Sequence, residues 1–282
     1  MLQITMIHPL KKILHHITLL ALILGLSLSI SARRSGADRG EDAADLSVPI
    51  LLYHRFGPVA ADSMTVTTAV FGSHLRYLKD QGYQVIPLRE LVNYYLNKGP
   101  RPVPGSVVIV VDDGHASVYR YMLPLVREYG VPVTLFIYPS AISNASYAMT
   151  WDQLRELKKT GLFDLQGHTY WHPNFKQDEK RMSPGEYERS VVLQLNRSRE
   201  KLEKELGGHI DMLAWPFGIY NDRLMEKANE AGYVAAFSIE ARPAVEEDRL
   251  MKLPRYLLTN ATSGKAFEKI LQGTAGRRDR VS

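Results

Sequence analysis

Two carboxylates stand side by side in Asp112-Asp113-Gly114, directly after the β-branched run Val107–Val111. Adjacent carboxylates repel each other and both resist desolvation, so a buried strand ending in this way has to offer them water or a cation. A second group, Gly167-His168-Thr169-Tyr170-Trp171-His172-Pro173, carries two imidazoles four residues apart. Pro173 biases His172 away from helical geometry, which puts the pair on a loop with at most one helical turn. Two histidines and one carboxylate form a donor set that binds a divalent metal and leaves positions open for water and substrate. Each group has a plainer reading on its own: Asp-Asp-Gly serves as a turn with a helix N-cap, and loop histidines commonly bond to backbone. Their presence on one chain lowers the weight of both plainer readings.

Such groups need strands that end together. From Val48 onward, apolar runs of strand length alternate with segments of helical period: residues 48–54, 83–88, 107–111, 133–138, 163–167, 210–215, 233–239 and 255–258. Most are apolar throughout, as parallel strands covered on both faces must be. Capping boxes open two of the helices, Thr150 with Gln153 and Ser183 with Glu186, the second running to about Leu206. Gly82, Gly130, Gly161, Gly207 and Gly232 each follow a periodic stretch, where a helix ends. The rhythm predicts an α/β fold, a single distorted (β/α) barrel of about seven units, TIM-barrel-like. Catalytic side chains in such barrels sit at the C-terminal ends of strands. Asp112 and Asp113 then end the third strand, His54 the first, His168 follows the fifth, and Trp215-Pro216-Phe217-Gly218 the sixth.

Composition limits the chemistry. The 282 residues include no cysteine, which removes disulfides, zinc-thiolate sites and thiol nucleophiles together. The formal charge of +5 is concentrated at the ends, and the body has no basic run that could track a phosphate backbone, so nucleic acid is excluded as a partner. Lys11 and Lys12 precede the apolar stretch 17–32, which has the length of a signal-peptide core and is short for a spanning helix of ~20 residues. Residues 1–32 are read as a signal peptide, with an uncleaved membrane anchor as the alternative, 33–46 as a polar linker, 47–272 as the folded domain and 273–282 as a disordered basic tail. The expected location is exported, periplasmic or extracellular.

"VVDDG", "GHTYWHPNF" and "AWPFGIYND" resemble the three motifs of the metal-dependent polysaccharide deacetylases with a NodB-homology domain, a group of carbohydrate esterases. The likeness extends through "LLYHRFG", "YGVPVTLFIYPSAI", "MTWDQLREL" and "LPRYLL", over about residues 48–271. It implies removal of acetyl groups from N-acetylated sugars with one divalent ion, zinc, nickel, cobalt or iron. Carried over, Asp113, His168 and His172 hold the metal and Asp112 is the general base. Trp215, Pro216, Phe217 and Gly218 supply the substrate and oxyanion side.

Two departures matter. Many members carry arginine two residues before the proline of the third motif, where this chain has Ala214, and many supply an acid from a C-terminal histidine, whereas the last histidine here is His209. Tyr53-His54-Arg55 instead resembles the branch that deacetylates exported poly-β-1,6-N-acetylglucosamine. His54 becomes the candidate acid, with Arg255 or Arg55 as the brace for Asp112. Trp171 is a candidate sugar-stacking surface, and His115 either rims the site or faces solvent at a helix entry. His74 and His209 read as structural or solvated, and Tyr121, Leu125 and Tyr129 as packing. The expected partner is an acetylated polysaccharide, with poly-β-1,6-N-acetylglucosamine preferred to chitin, peptidoglycan or O-acetylated glycans; no protein partner is inferable. The rival reading is a noncatalytic glycan-binding module on the same scaffold.

Overall fold

Side-chain parity organises the barrel. In this computed structural model, which describes residues 45–272, eight short strands run parallel: β1 (Ile50–Tyr53), β2 (Gln84–Val85), β3 (Ser106–Val111), β4 (Val133–Ile137), β5 (Phe163–Gly167), β6 (Met212–Ala214), β7 (Ala235–Phe237) and β8 (Tyr256–Leu257). Seven pair in the order β7-β6-β5-β4-β3-β1-β8, and β2 joins the start of β3. The sheet curls into a distorted barrel whose seam between β7 and β8 is spanned by a single bridge, Phe237 to Leu253. All eight strand segments expected from the sequence contain a strand. Because successive side chains on a strand alternate faces, Ile50, Leu52, Val108, Val110, Phe136, Met212, Ala214 and Phe237 share one apolar cluster inside the barrel. Their neighbours Leu51, Tyr53, Ile109, Val111, Leu135, Ile137, Leu165 and Leu213 pack outward against the helices.

The outer layer comprises α1 (Thr68–Asp80), α2 (Leu88–Tyr95), α3 (Leu123–Tyr129), α4 (Trp151–Lys159), α5 (Phe175–Arg181), α6 (Pro184–Leu206), α7 (Asp222–Glu230) and α8 (Lys265–Leu271). Both expected capping boxes are present: Thr150 and Gln153 exchange side-chain-to-backbone bonds at α4, and the Glu186 carboxylate accepts from the Ser183 N–H and hydroxyl at α6. Tyr121, Leu125 and Tyr129 pack against the core as expected. His74 of α1 is buried: it meets the Tyr53 hydroxyl at 2.9 Å through Nδ1 and the Thr262 carbonyl at 2.6 Å through Nε2, and stacks on Phe267 at 3.9 Å.

Three features depart from the expected rhythm. Leu46, placed in the linker, is buried in the core, and Ser47–Val48 pairs antiparallel with Ala244–Val245. Arg55–Gly57 pairs with Thr65–Thr67 in a small ribbon beyond β1. The expected signal or anchor segment, the rest of the linker and the tail lie outside the described residues. Among the described residues, no helix is long and apolar enough to cross a membrane.

Candidate active site and metal centre

The inward parity of the strands continues past their ends. Val108 and Val110 are followed on the same side by Asp112, Ile50 and Leu52 by His54, Gln166 by His168, and on β8 Leu257 shares its face with Arg255. Asp113 has the opposite parity and would point to the helices. It takes φ +77° instead, with Gly114 at +76°, and this left-handed turn carries its carboxylate back to the barrel mouth. Thr169 at +61°, His172 at +57° and Phe217 at +57° are left-handed as well, so four of the six non-glycine residues of this kind among the described residues lie at one place. Such backbone strain costs of order 1–3 kcal/mol per residue and persists where surrounding contacts over-determine it, which is characteristic of functional sites.

The side chains converge. His168 Nε2 lies 3.6 Å and His172 Nε2 3.7 Å from Asp113 Oδ1, and the three donor atoms fall within 4.8 Å of one another. Two ligands each about 2.1 Å from one ion stand roughly 3–3.7 Å apart at ordinary coordination angles, so the set fits a divalent cation. His168 Nδ1 donates to the Ala214 carbonyl at 2.7 Å, which fixes the tautomer and leaves the Nε2 lone pair facing the centre. Burial pushes the His168 imidazole down to about 3 against the opposing pull of Asp112, and also lowers His172, so both are neutral and able to coordinate at neutral pH. Burial raises the Asp113 carboxyl, His54 opposes that rise, and neighbouring Asp112 adds to it. Neutral imidazoles beside a carboxyl that burial and a like charge both disfavour make a donor set short of positive charge.

Asp112 differs from its neighbour. Burial by itself would raise its carboxyl, but the Arg255 guanidinium, then His168 and His54, hold it below the ordinary carboxylate range. Arg255 donates Nη1–H to Oδ1 at 2.8 Å and Nη2–H to Oδ2 at 2.9 Å, while its Nε–H goes to the Ser238 carbonyl at 2.8 Å. The guanidinium is fully buried over the Phe136 ring. Of the two braces expected from the sequence, the structure puts Arg255 on Asp112. Arg55 is turned away to Asp62, at 2.5 Å, and is the correction to that pair of candidates. Outward parity explains a second correction: Trp215 is fully buried in the helical layer, packed near Phe175 with its indole N–H on the Met251 carbonyl, and cannot meet a sugar. Gly218 donates its N–H to the Trp215 carbonyl and Pro216 has none, so neither supplies an oxyanion donor. Phe217 remains, 56% exposed, with its ring 4.6 Å from that of His172. Trp171, the residue before His172, is 53% exposed.

His54 Nδ1 is buried without a hydrogen-bond partner among the described residues. His115 is half-buried: its Nδ1 meets the Ser117 hydroxyl at 2.8 Å, and its ring stacks near Tyr147 at 6.1 Å. Sequence reasoning missed Tyr138 at the end of β4, whose ring lies 5.3 Å from His172 and whose hydroxyl meets that of Tyr147 at 2.7 Å. The strand-end rule that singled out Asp112 and His54 would have found it.

Residues 100–236 match the family model for polysaccharide deacetylase, a span that contains Asp112, Asp113, His168, His172 and the third-motif turn. The chain carries a polysaccharide deacetylase domain. The deacetylase domain is a hydrolase acting on N-acetyl amide bonds of polysaccharides, of a metal-dependent family. Over 212 residues the chain is 27% identical to the poly-beta-1,6-N-acetyl-D-glucosamine N-deacetylase of Staphylococcus aureus (strain MRSA252), covering 74% of this chain and 71% of that one. The fold of the deacetylase domain is shared with IcaB from Ammonifex degensii, TM-score 0.71 at 24% identity over 81% of this chain and 97% of that one. It is shared equally with the Streptococcus pyogenes deacetylase PplD in complex with acetate, TM-score 0.72 at 22% identity over 81% and 99%. His54 and Arg255 lie outside the span matched by the family model.

Proposed function

We propose that the chain is an exported, metal-dependent N-deacetylase of poly-β-1,6-N-acetylglucosamine, with Asp113, His168 and His172 holding the ion. The observation that carries this reading is the convergence of those three donors beside an Asp112 kept ionised by Arg255. A divalent ion bound there supplies a Lewis acid for the acetamide carbonyl and lowers the pKa of water. The residues do the rest. Asp112 takes the proton of the attacking water, and Arg255 holds the carboxylate in place with both oxygens still able to accept. The Phe217 N–H faces the developing oxyanion. His54 protonates the departing amine, since an amide anion is a very poor leaving group. Products are a free amine on the sugar and acetate.

The choice of glycan rests on Tyr53-His54-Arg55 and on the resemblance to the staphylococcal enzyme of that name. Export rests on Lys11, Lys12 and the apolar stretch 17–32, with 33–45 as linker and 273–282 as a tail beyond the domain. The test is metal content by mass spectrometry followed by amine release from β-1,6-linked and β-1,4-linked N-acetylglucosamine oligomers. Metal at one equivalent with faster release from the β-1,6 series supports the reading. Equal or faster release from the β-1,4 series overturns the substrate, and activity that survives complete chelation overturns the metal.

A further inference from the structure

We infer that Gln194, on α6 of the outer helical layer, is the positioning residue that holds His172 at the metal centre. The inference rests on the ligand assignment proposed above. The two histidines are not anchored alike. His168 is fixed directly, its N–H on the Ile137 carbonyl at 2.8 Å and its ring on the Ala214 carbonyl. His172 follows a loop that turns left-handed at Thr169 and again at His172 itself. Between those turns the N–H groups of Tyr170 and Trp171 point to one acceptor, the Gln194 side-chain carbonyl, at 3.1 and 2.8 Å. Successive N–H groups converging on one oxygen form a nest, a concave arrangement of donors that suits an oxygen acceptor. Gln194 is almost wholly buried, so water cannot take its place without a rearrangement of the helix contact. Arg197, one turn further along α6, lays its guanidinium 4.3 Å from the centre of the Tyr170 ring and 5.9 Å from Trp171. The helix thus grips the same dipeptide by backbone and by side chain, and the grip ends one residue short of the ligand.

A residue acting in this way controls affinity for the ion through His172 alone. Zinc titrations against a chromophoric chelator should show Gln194→Met weakening binding by about 10–100-fold, the usual scale for a lost partner behind a ligand. Gln194→Glu, whose carboxylate accepts both N–H groups, should stay within about threefold of wild type. In a His172→Ala background, Gln194→Met should add nothing, because the ligand it positions is gone. Binding by Gln194→Met within about twofold of wild type, or the same fold loss with and without His172, overturns the inference, the latter by revealing a general loss of packing. If circular dichroism shows Gln194→Met to be unfolded, Gln194→Asn takes its place in both arms, since its carbonyl sits one bond short of the loop. Unchanged zinc affinity in His172→Ala alone overturns the ligand assignment, and the role of Gln194 falls with it.

Discussion

At the scale of single residues, Asp112 and Asp113 are neighbours in the chain and opposites in environment. One is sealed against a guanidinium, and the other is turned by a left-handed backbone to face two imidazoles and solvent. They should fail differently. Asp113→Asn and His168→Ala should each lose bound metal and activity together, with the far-ultraviolet circular dichroism unchanged, because both side chains extend from strand-end loops. Asp112→Asn should keep the metal while turnover falls by ~10²–10⁴-fold, the scale of a general base, with the melting temperature also lowered because Arg255 loses its counter-charge. Near wild-type turnover in that variant would remove Asp112 from the mechanism. His54→Ala should spare the metal and lose much more on N-acetyl substrates than on an activated aryl acetate, whose phenolate leaves without a proton. Equal losses on the two substrates would assign His54 a packing role.

The elements explain how these residues meet, and here strand parity decides more than residue type. Asp112, His54 and His168 were legible as strand-end residues and Arg255 as the residue that opens the last strand, and counting by twos along each apolar run puts all four inside. The same count sends Trp215 outward, so its burial in the helical layer was available from the sequence and was obscured by the chemistry of the indole. Asp113 could not be placed by parity, because its position depends on a positive φ that an Asp-Asp-Gly sequence permits without dictating. The choice of Arg255 over Arg55 was likewise beyond the motifs. It depends on contacts distant in sequence, the Ser238 carbonyl that orients Nε and the Phe136 ring beneath the guanidinium. The Asp112–Arg255 pair can be measured. Arg255→Met strands a buried carboxylate and should cost about 3–5 kcal/mol in chemical denaturation. Adding Asp112→Asn should restore much of that stability and none of the activity, and a double variant no more stable than Arg255→Met would show that the ion pair is not the source of the loss.

For the molecule as a whole, a contact that joins the first strand to the segment before α8 contains a titrating group. His74 joins Tyr53 of the first strand to Thr262 near the last helix, and burial pushes its imidazole down to about 4, partly offset by the Thr262 carbonyl. Its folded pKa lies below the unfolded one, so the unfolded chain binds more protons. Stability from this site is complete above about pH 6.5 and is lost as pH falls toward 4, by about 3 kcal/mol at most. Urea midpoints measured from pH 7 to pH 4 should therefore fall less steeply in His74→Gln than in wild type, and parallel slopes would exclude His74 as the source. The seam at Leu253 has another consequence, in the order in which a chain becomes competent. The three proposed metal donors are all in place by residue 172, yet the cation that balances Asp112 arrives only at Arg255, so a nascent chain halted between the two has those donors and a carboxylate without its guanidinium. The centre proposed above can therefore close only once the chain has been made through Arg255, which makes the last strand of the barrel a late step in assembling the site.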